Sequence, residues 1–213
     1  MDFKKLYQSF TIYNRENSYD SLPVWARIYD KDEPPIYWKC LKKRVENLPK
    51  EYRIVEIGSG FGGVTFLLAA LGFKEVVSIE REPRLIEYSK HLLSYLELKN
   101  FKAICGSYPI IDLGKIDVLV SVNCVYWDGI STREEYLQYV RNLFDFSGAK
   151  VFILEVIDKS FKAESSFPDF VKVSETEIHK IFFDCECTSE LTFQYPNDKT
   201  TKRMFTITKN SIA

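Results

Sequence analysis

The sequence predicts an α/β protein built on a mostly parallel sheet of seven strands that ends in an antiparallel hairpin, and three observations predict it. From Arg53 onward, short β-branched runs alternate with longer amphipathic stretches, the pattern of a parallel sheet covered by helices. A glycine-rich segment, Glu56-Ile57-Gly58-Ser59-Gly60-Phe61-Gly62, joins the first apolar run to the first helical pattern. Near the C-terminus two strand-like runs flank Pro196-Asn197-Asp198-Lys199, a turn by composition.

The elements follow in order. Ile54 to Ile57 is the first strand, Val64 to Leu71 a helix closed by Gly72, and Glu75 to Ile79 the second strand. Pro83 then stands where proline suits a helix start. From Arg84 to Leu98, apolar residues recur at Leu85, Tyr88, Leu92, Tyr95 and Leu96 with charges between them, which makes an amphipathic helix. Lys102 to Cys105 and Asp117 to Val122 are strands three and four, Arg133 to Phe144 is a helix, and Lys150 to Val156 is strand five. The helix Ser174 to Phe183 carries a capping box, Ser174 with Glu177, and the hairpin strands are Cys185 to Tyr195 and Lys202 to Thr208.

Residues 1 to 50 differ from the rest. They are rich in aromatics (Tyr7, Phe10, Tyr13, Tyr19, Trp25, Tyr29, Tyr37, Trp38), are broken by Pro23, Pro34 and Pro35, and lack strand alternation. The division expected is a helical extension over 1 to 50, acting as a lid or covering a sheet face, and a ligand-binding domain over 51 to 213.

At 213 residues, 46% hydrophobic and 28% charged, the chain has the composition of an ordinary soluble protein with one substantial core. A formal charge of -1 gives no chain-wide reason to expect nucleic acid. The N-terminus has no apolar leader and no run approaches membrane-spanning length, so a cytoplasmic monomer or homodimer is expected. Five cysteines without C-x-x-C pairs argue against a disulfide framework, and Cys185, Cys187 and His179 are read as packing groups, so no metal is expected.

The glycine-rich turn is a nucleotide-sized cradle. Glycine takes positive φ and lets a ligand approach amides that a Cβ would screen, while the following helix contributes unpaired N–H donors. Glu56, two residues before the first glycine, would repel a pyrophosphate and welcome an amine or a ribose hydroxyl. Gly58 to Gly63 also satisfies the dinucleotide pattern G-x-G-x-x-G with an acid about twenty residues on, but Glu56 and the terminal hairpin both disfavour that reading.

Taken together, residues 50 to 210 resemble the class I methyltransferases that use S-adenosylmethionine, which have a Rossmann-like three-layer sandwich. Glu56-x-Gly58-x-Gly60-x-Gly62 looks like the family's first motif, Glu80 closes the second strand where the family keeps its ribose-binding acid, and the hairpin resembles its last two strands. The resemblance implies S-adenosylmethionine as cofactor. Glu56 would face the methionyl ammonium, Gly58, Ser59, Gly60 and Gly62 would pass under the cofactor, and Glu80 with its neighbour Arg81 would meet the ribose. The adenine would lie by Ser107 and Tyr108, where the acid common in the family is missing.

On the acceptor side, Ser121 to Asp128 leaves the fourth strand at the edge where open α/β sheets bind ligands. Asn123 followed by Tyr126 keeps the outline of amino-directed members without their two prolines. Asn123 would hold the methionyl part of the cofactor or orient the acceptor, Tyr126 would stack on it, and Glu155, with Asp158 beside it, would serve as base. His91 and His179 read as packing residues. The expectation is methyl transfer to an oxygen or nitrogen of a small-molecule acceptor. A protein, peptide or nucleobase acceptor, or a non-catalytic partner that keeps the fold, is the alternative.

Overall fold

Strand β1 (Arg53–Ile57) lies at the middle of the sheet, and every residue after Arg53 in it is buried, as suits a parallel strand covered on both faces. The structure is a computed structural model, and it describes residues 3–17, 33–160, 167–193 and 201–210. In chain order the elements are α1 (Phe3–Glu16), α2 (Ile36–Val45), β1, α3 (Gly63–Ala70), β2 (Glu75–Glu80), α4 (Pro83–Tyr95), β3 (Phe101–Cys105) and β4 (Val118–Ser121). There follow α5 (Arg133–Ser147), β5 (Val151–Asp158), β6 (Lys172–Val173), α6 (Glu175–Ile181), β7 (Cys185–Phe193) and β8 (Thr201–Lys209).

The sheet runs β3-β2-β1-β4-β5-β8-β7, with the two-residue β6 pairing β5. Strands β1 to β5 are parallel, whereas β8 is antiparallel to both β5 and β7. The seven expected strands are all present. The eighth, β6, was not anticipated, because two residues are too few to show a period. The expected turn at Pro196 to Lys199 lies outside the described residues.

Strand alternation divides the interior into two cores. Ile54, Val76, Val118 and Val120 face the layer made by α1 to α4, where Tyr7, Phe10, Trp38 and Phe66 are buried. Val55, Ile57, Val77 and Leu119 face α5 and α6. Order reverses at β1, whose neighbours are β2 and β4, so a crevice opens at the carboxyl ends of β1 and β4, where open α/β sheets place their ligands.

Local chemistry explains the helix boundaries. Pro83 occupies the first turn of α4 and Gly148 ends α5 in the left-handed region. Ser174 and Glu177 form the expected capping box, and Thr132 with Glu135 forms a second one at α5. Helices α1 and α2 belong to the first core. Phe10 stacks on Phe66 at 5.4 Å and on Phe61 at 6.0 Å, and Arg44 of α2 donates to the Met204 carbonyl and Thr206 hydroxyl of β8. Tyr19, Pro23, Trp25 and Tyr29, on which much of the lid expectation rested, lie outside the described residues. Among the described residues no helix is long and apolar enough to cross a membrane.

Candidate active site

The turn from β1 into α3 is built by glycines that cannot be replaced without collision. Gly58 has φ +68, and a Cβ there would lie 2.0 Å from Cys124 Sγ. Gly62, the N-cap of α3 with φ +90, would meet Ser89 Oγ at 2.3 Å. The turn is tied to β2 through the Gly58 and Ser59 amides, which donate to the Ile79 carbonyl at 2.9 and 3.0 Å.

Two carboxylates flank this turn. Glu56 shares the phase of Ile54, so it faces α3, where its Oε2 accepts a 2.5 Å bond from the Thr65 hydroxyl. It is 1% exposed. Burial above all, with Glu80 nearby and Thr65 opposing, pushes its carboxyl up to about 8. Glu80 bridges the turn: Oε2 accepts the Gly60 N–H at 2.9 Å and Oε1 the Glu82 N–H at 3.0 Å. Each oxygen keeps a further lone pair for a ligand hydroxyl. Ser59 Oγ is buried in the turn with no partner among the described residues. A polar ligand with hydroxyls and a cationic end fits this set.

The loop after β4 forms the opposite wall. Asn123 sits at φ +60, a left-handed conformation that asparagine tolerates better than most residues. Its N–H donates to Glu155 Oε2 at 3.0 Å, and its Oδ1 accepts from Lys202 Nζ at 2.5 Å. Cys124 packs against Gly58, and burial, then Glu80 and Glu56, push its thiol up to about 11, so it stays neutral near pH 7. Tyr126 leans on Tyr139, with ring centroids 5.7 Å apart, and the Arg81 guanidinium lies 5.3 Å from the Tyr126 ring while bonding Asp128 at 2.6 Å. Arg81 therefore links the end of β2 to the loop after β4. Beyond Tyr126 a cleft of about 540 Å³ is lined by Tyr126, Asp128, Glu134, Glu135, Tyr139 and their neighbours.

The residues expected from sequence thus divide. Glu56, Gly58, Ser59, Gly60, Gly62 and Glu80 come together at the turn; Asn123 and Tyr126 lie on the loop after β4, and Arg81 reaches that loop at Tyr126 and Asp128 while Asn123 is held from β5 and β8. Ser107 is exposed beyond β3, while the Tyr108 hydroxyl turns toward α5 and donates to the Leu143 carbonyl at 3.4 Å. Glu155, expected as a base, is 2% exposed and committed on both oxygens, to Thr192 Oγ1 at 2.6 Å and to the Asn123 N–H. Asp158 is likewise engaged. Burial pushes its carboxyl up, but bonds from Arg203 and Ser160 outweigh that and hold it below the usual range. Unlike Glu80, both carboxylates are buried as well as bonded, so neither is open to an acceptor. His179 lies on α6 against the Phe205 ring.

Lys202 escaped the sequence reading. The signal was present: Lys202 alternates in phase with the buried Met204, so a charged side chain was due on an inward face.

A family model described as a methyltransferase domain matches residues 48–208. Among solved structures, the fold is similar to magnesium protoporphyrin IX methyltransferase from Synechocystis PCC 6803 with bound SAH. The TM-score is 0.65 at 14% identity, over 93% of this chain and 97% of that one. It is also similar to a SAM-dependent methyltransferase from Aquifex aeolicus, with TM-score 0.58 at 15% identity over 86% and 98% of the two chains. A third likeness is to a putative RNA methyltransferase from Pyrococcus horikoshii, with TM-score 0.55 at 14% identity over 82% and 83%.

Proposed function

The chain belongs to the methyltransferase-domain family and is an S-adenosylmethionine-dependent methyltransferase, and we propose that it methylates an oxygen or nitrogen of a small-molecule acceptor. The cofactor supplies a sulfonium-borne methyl group, which leaves the protein to bind, orient and exclude water. The glycine turn, free of Cβ atoms at Gly58, Gly60 and Gly62, lets the backbone lie close under an adenosyl ligand. Glu80 would accept the ribose hydroxyls on the lone pairs that Gly60 and Glu82 leave open. Glu56 would meet the methionyl ammonium, and the Ser59 hydroxyl gains a partner when a ligand fills the turn. The adenine side falls to the segment Ser107-Tyr108, where the Ser107 hydroxyl and not Tyr108 is available. Asn123 and Tyr126 would align the acceptor.

The observation that carries the small-molecule reading is the charge around the open cleft beside Tyr126: Glu134 and Glu135 on its wall, in a chain of formal charge -1, would repel a phosphate backbone. The five free thiols support a cytoplasmic setting. The Phe10–Phe61 stack, which ties α1 to the glycine turn, supports a role for residues 1 to 50 in closing the site.

Calorimetry with S-adenosylhomocysteine tests the donor side. Binding is expected and should weaken in Glu80→Ala; no heat at millimolar ligand would overturn the reading. Transfer from radiolabelled S-adenosylmethionine to a metabolite library tests the acceptor side, and turnover on RNA or polypeptide alone would refute the small-molecule assignment.

A further inference from the structure

Lys202 is 3% exposed and Glu155 is 2% exposed, so two opposite charges are buried together beside the crevice. Burying such a pair is costly, and apolar residues of the same volume usually serve stability as well or better. The geometry suggests a use beyond stability. The ammonium of Lys202 stands 3.7 Å from Glu155 Oε2 but 2.5 Å from Asn123 Oδ1, so its shorter contact is with the amide and not with its counter-ion. Glu155 in turn gives Oε2 to the Asn123 N–H and holds Thr192 of β7 with Oε1. Both charged groups therefore converge on one residue, which leaves β4 at the crevice in the strained left-handed conformation.

This arrangement decides what Asn123 can offer. A lysine ammonium has only donors, so the atom facing it must be the amide oxygen, which fixes the amide plane. The Nδ2 group is then the end left to donate. Glu56 draws the cationic end of the methionyl tail toward the glycine turn, and the other end of that tail is a carboxylate, which needs N–H donors.

We propose that Lys202 is a positioning residue of the donor site: with Glu155 it locks Asn123 so that the amide Nδ2 binds the carboxylate of the S-adenosylmethionine tail. This rests on the methyltransferase reading above. It gives the C-terminal hairpin a part in cofactor recognition, since Lys202 and Thr192 come from its two strands.

The test compares two probes by calorimetry: S-adenosylhomocysteine, which has the amino-acid tail, and 5′-methylthioadenosine, which lacks it. Asn123→Asp keeps the oxygen for Lys202 but replaces the donor by a second oxygen. It should weaken S-adenosylhomocysteine by about tenfold or more and leave methylthioadenosine unchanged. Lys202→Met should act in the same sense and more weakly, by releasing the amide. Should the unpaired Glu155 prevent that variant from folding, Lys202→Met/Glu155→Gln removes both charges and should show the same selective loss. A purely structural pair would weaken both nucleosides alike, and that outcome, or unchanged S-adenosylhomocysteine affinity in Asn123→Asp, overturns the proposal. Failure of the wild-type protein to bind S-adenosylhomocysteine would instead remove the reading beneath it.

Discussion

Replacing Glu56 by glutamine should stabilise the protein and impair it at once. The side chain is buried with a single hydroxyl partner, and its carboxyl is raised from 4.5 to about 8. The sign follows from proton binding. Below pH 4.5 the group is protonated in both folded and unfolded chains, and its protonation affects nothing. As pH rises, the unfolded chain ionises freely while the folded chain must either hold its proton or bury a charge. Stability is therefore lost progressively from pH 4.5 up to about 8, and the loss is constant above that. A shift of this size costs the wild type about 3 kcal/mol at pH 7 and less than about 1 kcal/mol at pH 5. The glutamine of Glu56→Gln does not titrate and can keep a hydrogen bond to Thr65, so urea unfolding should show the variant more stable by about those amounts at the two pH values. Calorimetry on the same samples should show weaker S-adenosylhomocysteine binding, because the carboxylate proposed to meet the ammonium is gone. In the wild type, binding at pH 7 should release a proton, seen as a heat that varies with the ionisation enthalpy of the buffer. A stability gap that is the same at pH 5 and pH 7 would refute the argument.

Three further outcomes follow from the packing. Gly58→Ala forces a Cβ to 2.0 Å from Cys124 Sγ at φ +68, and should cost about 3 kcal/mol or more in urea unfolding and abolish nucleoside binding. Phe10→Ala removes a fully buried ring stacked on Phe61 and Phe66, and should cost about 3–5 kcal/mol. Nucleoside affinity should fall as well, because Phe61 belongs to the glycine turn; full stability would show that α1 is dispensable. Arg81→Ala breaks an exposed bridge to Asp128 and should change stability by less than about 1 kcal/mol. It should nonetheless lower methyl transfer by freeing the acceptor-side loop, and unchanged turnover would show that the bridge has no part in the site.

Much of the fold was legible because parallel strands and their helices declare themselves by period. Val151 to Asp158 reads as a near-continuous apolar run, and Arg84 to Leu98 as a 3.6-residue stripe, so each was placed within a few residues of its observed ends. Strand β6 was not legible, since its two residues are held by pairing with Ile157 and Asp158 and carry no pattern of their own. The glycine turn and the carboxylate that bridges it were legible for a similar reason. Positive φ and close neighbours at Gly58 and Gly62 leave no room for a side chain, and a charged residue ending a buried strand, as Glu80 does, is conspicuous.

The loop that faces the turn was legible only as positions, because its chemistry is decided by contacts between residues far apart in sequence. Glu155 illustrates the difficulty: within β5, just beyond the register of the last residue of β4, it has the placement of a base, and only the fold brings Asn123, Thr192 and Lys202 to it and occupies both of its oxygens. Asn123 changes meaning in the same way. In sequence its side chain offers donor and acceptor alike, whereas in the structure Lys202, 79 residues away, takes the oxygen and leaves the N–H. A charge buried in a strand, as Lys202 in β8 and Glu155 in β5 both are, is thus a guide to the site. It costs too much to be there without partners, and tracing those partners leads from the C-terminal hairpin directly to the loop that faces the glycine turn.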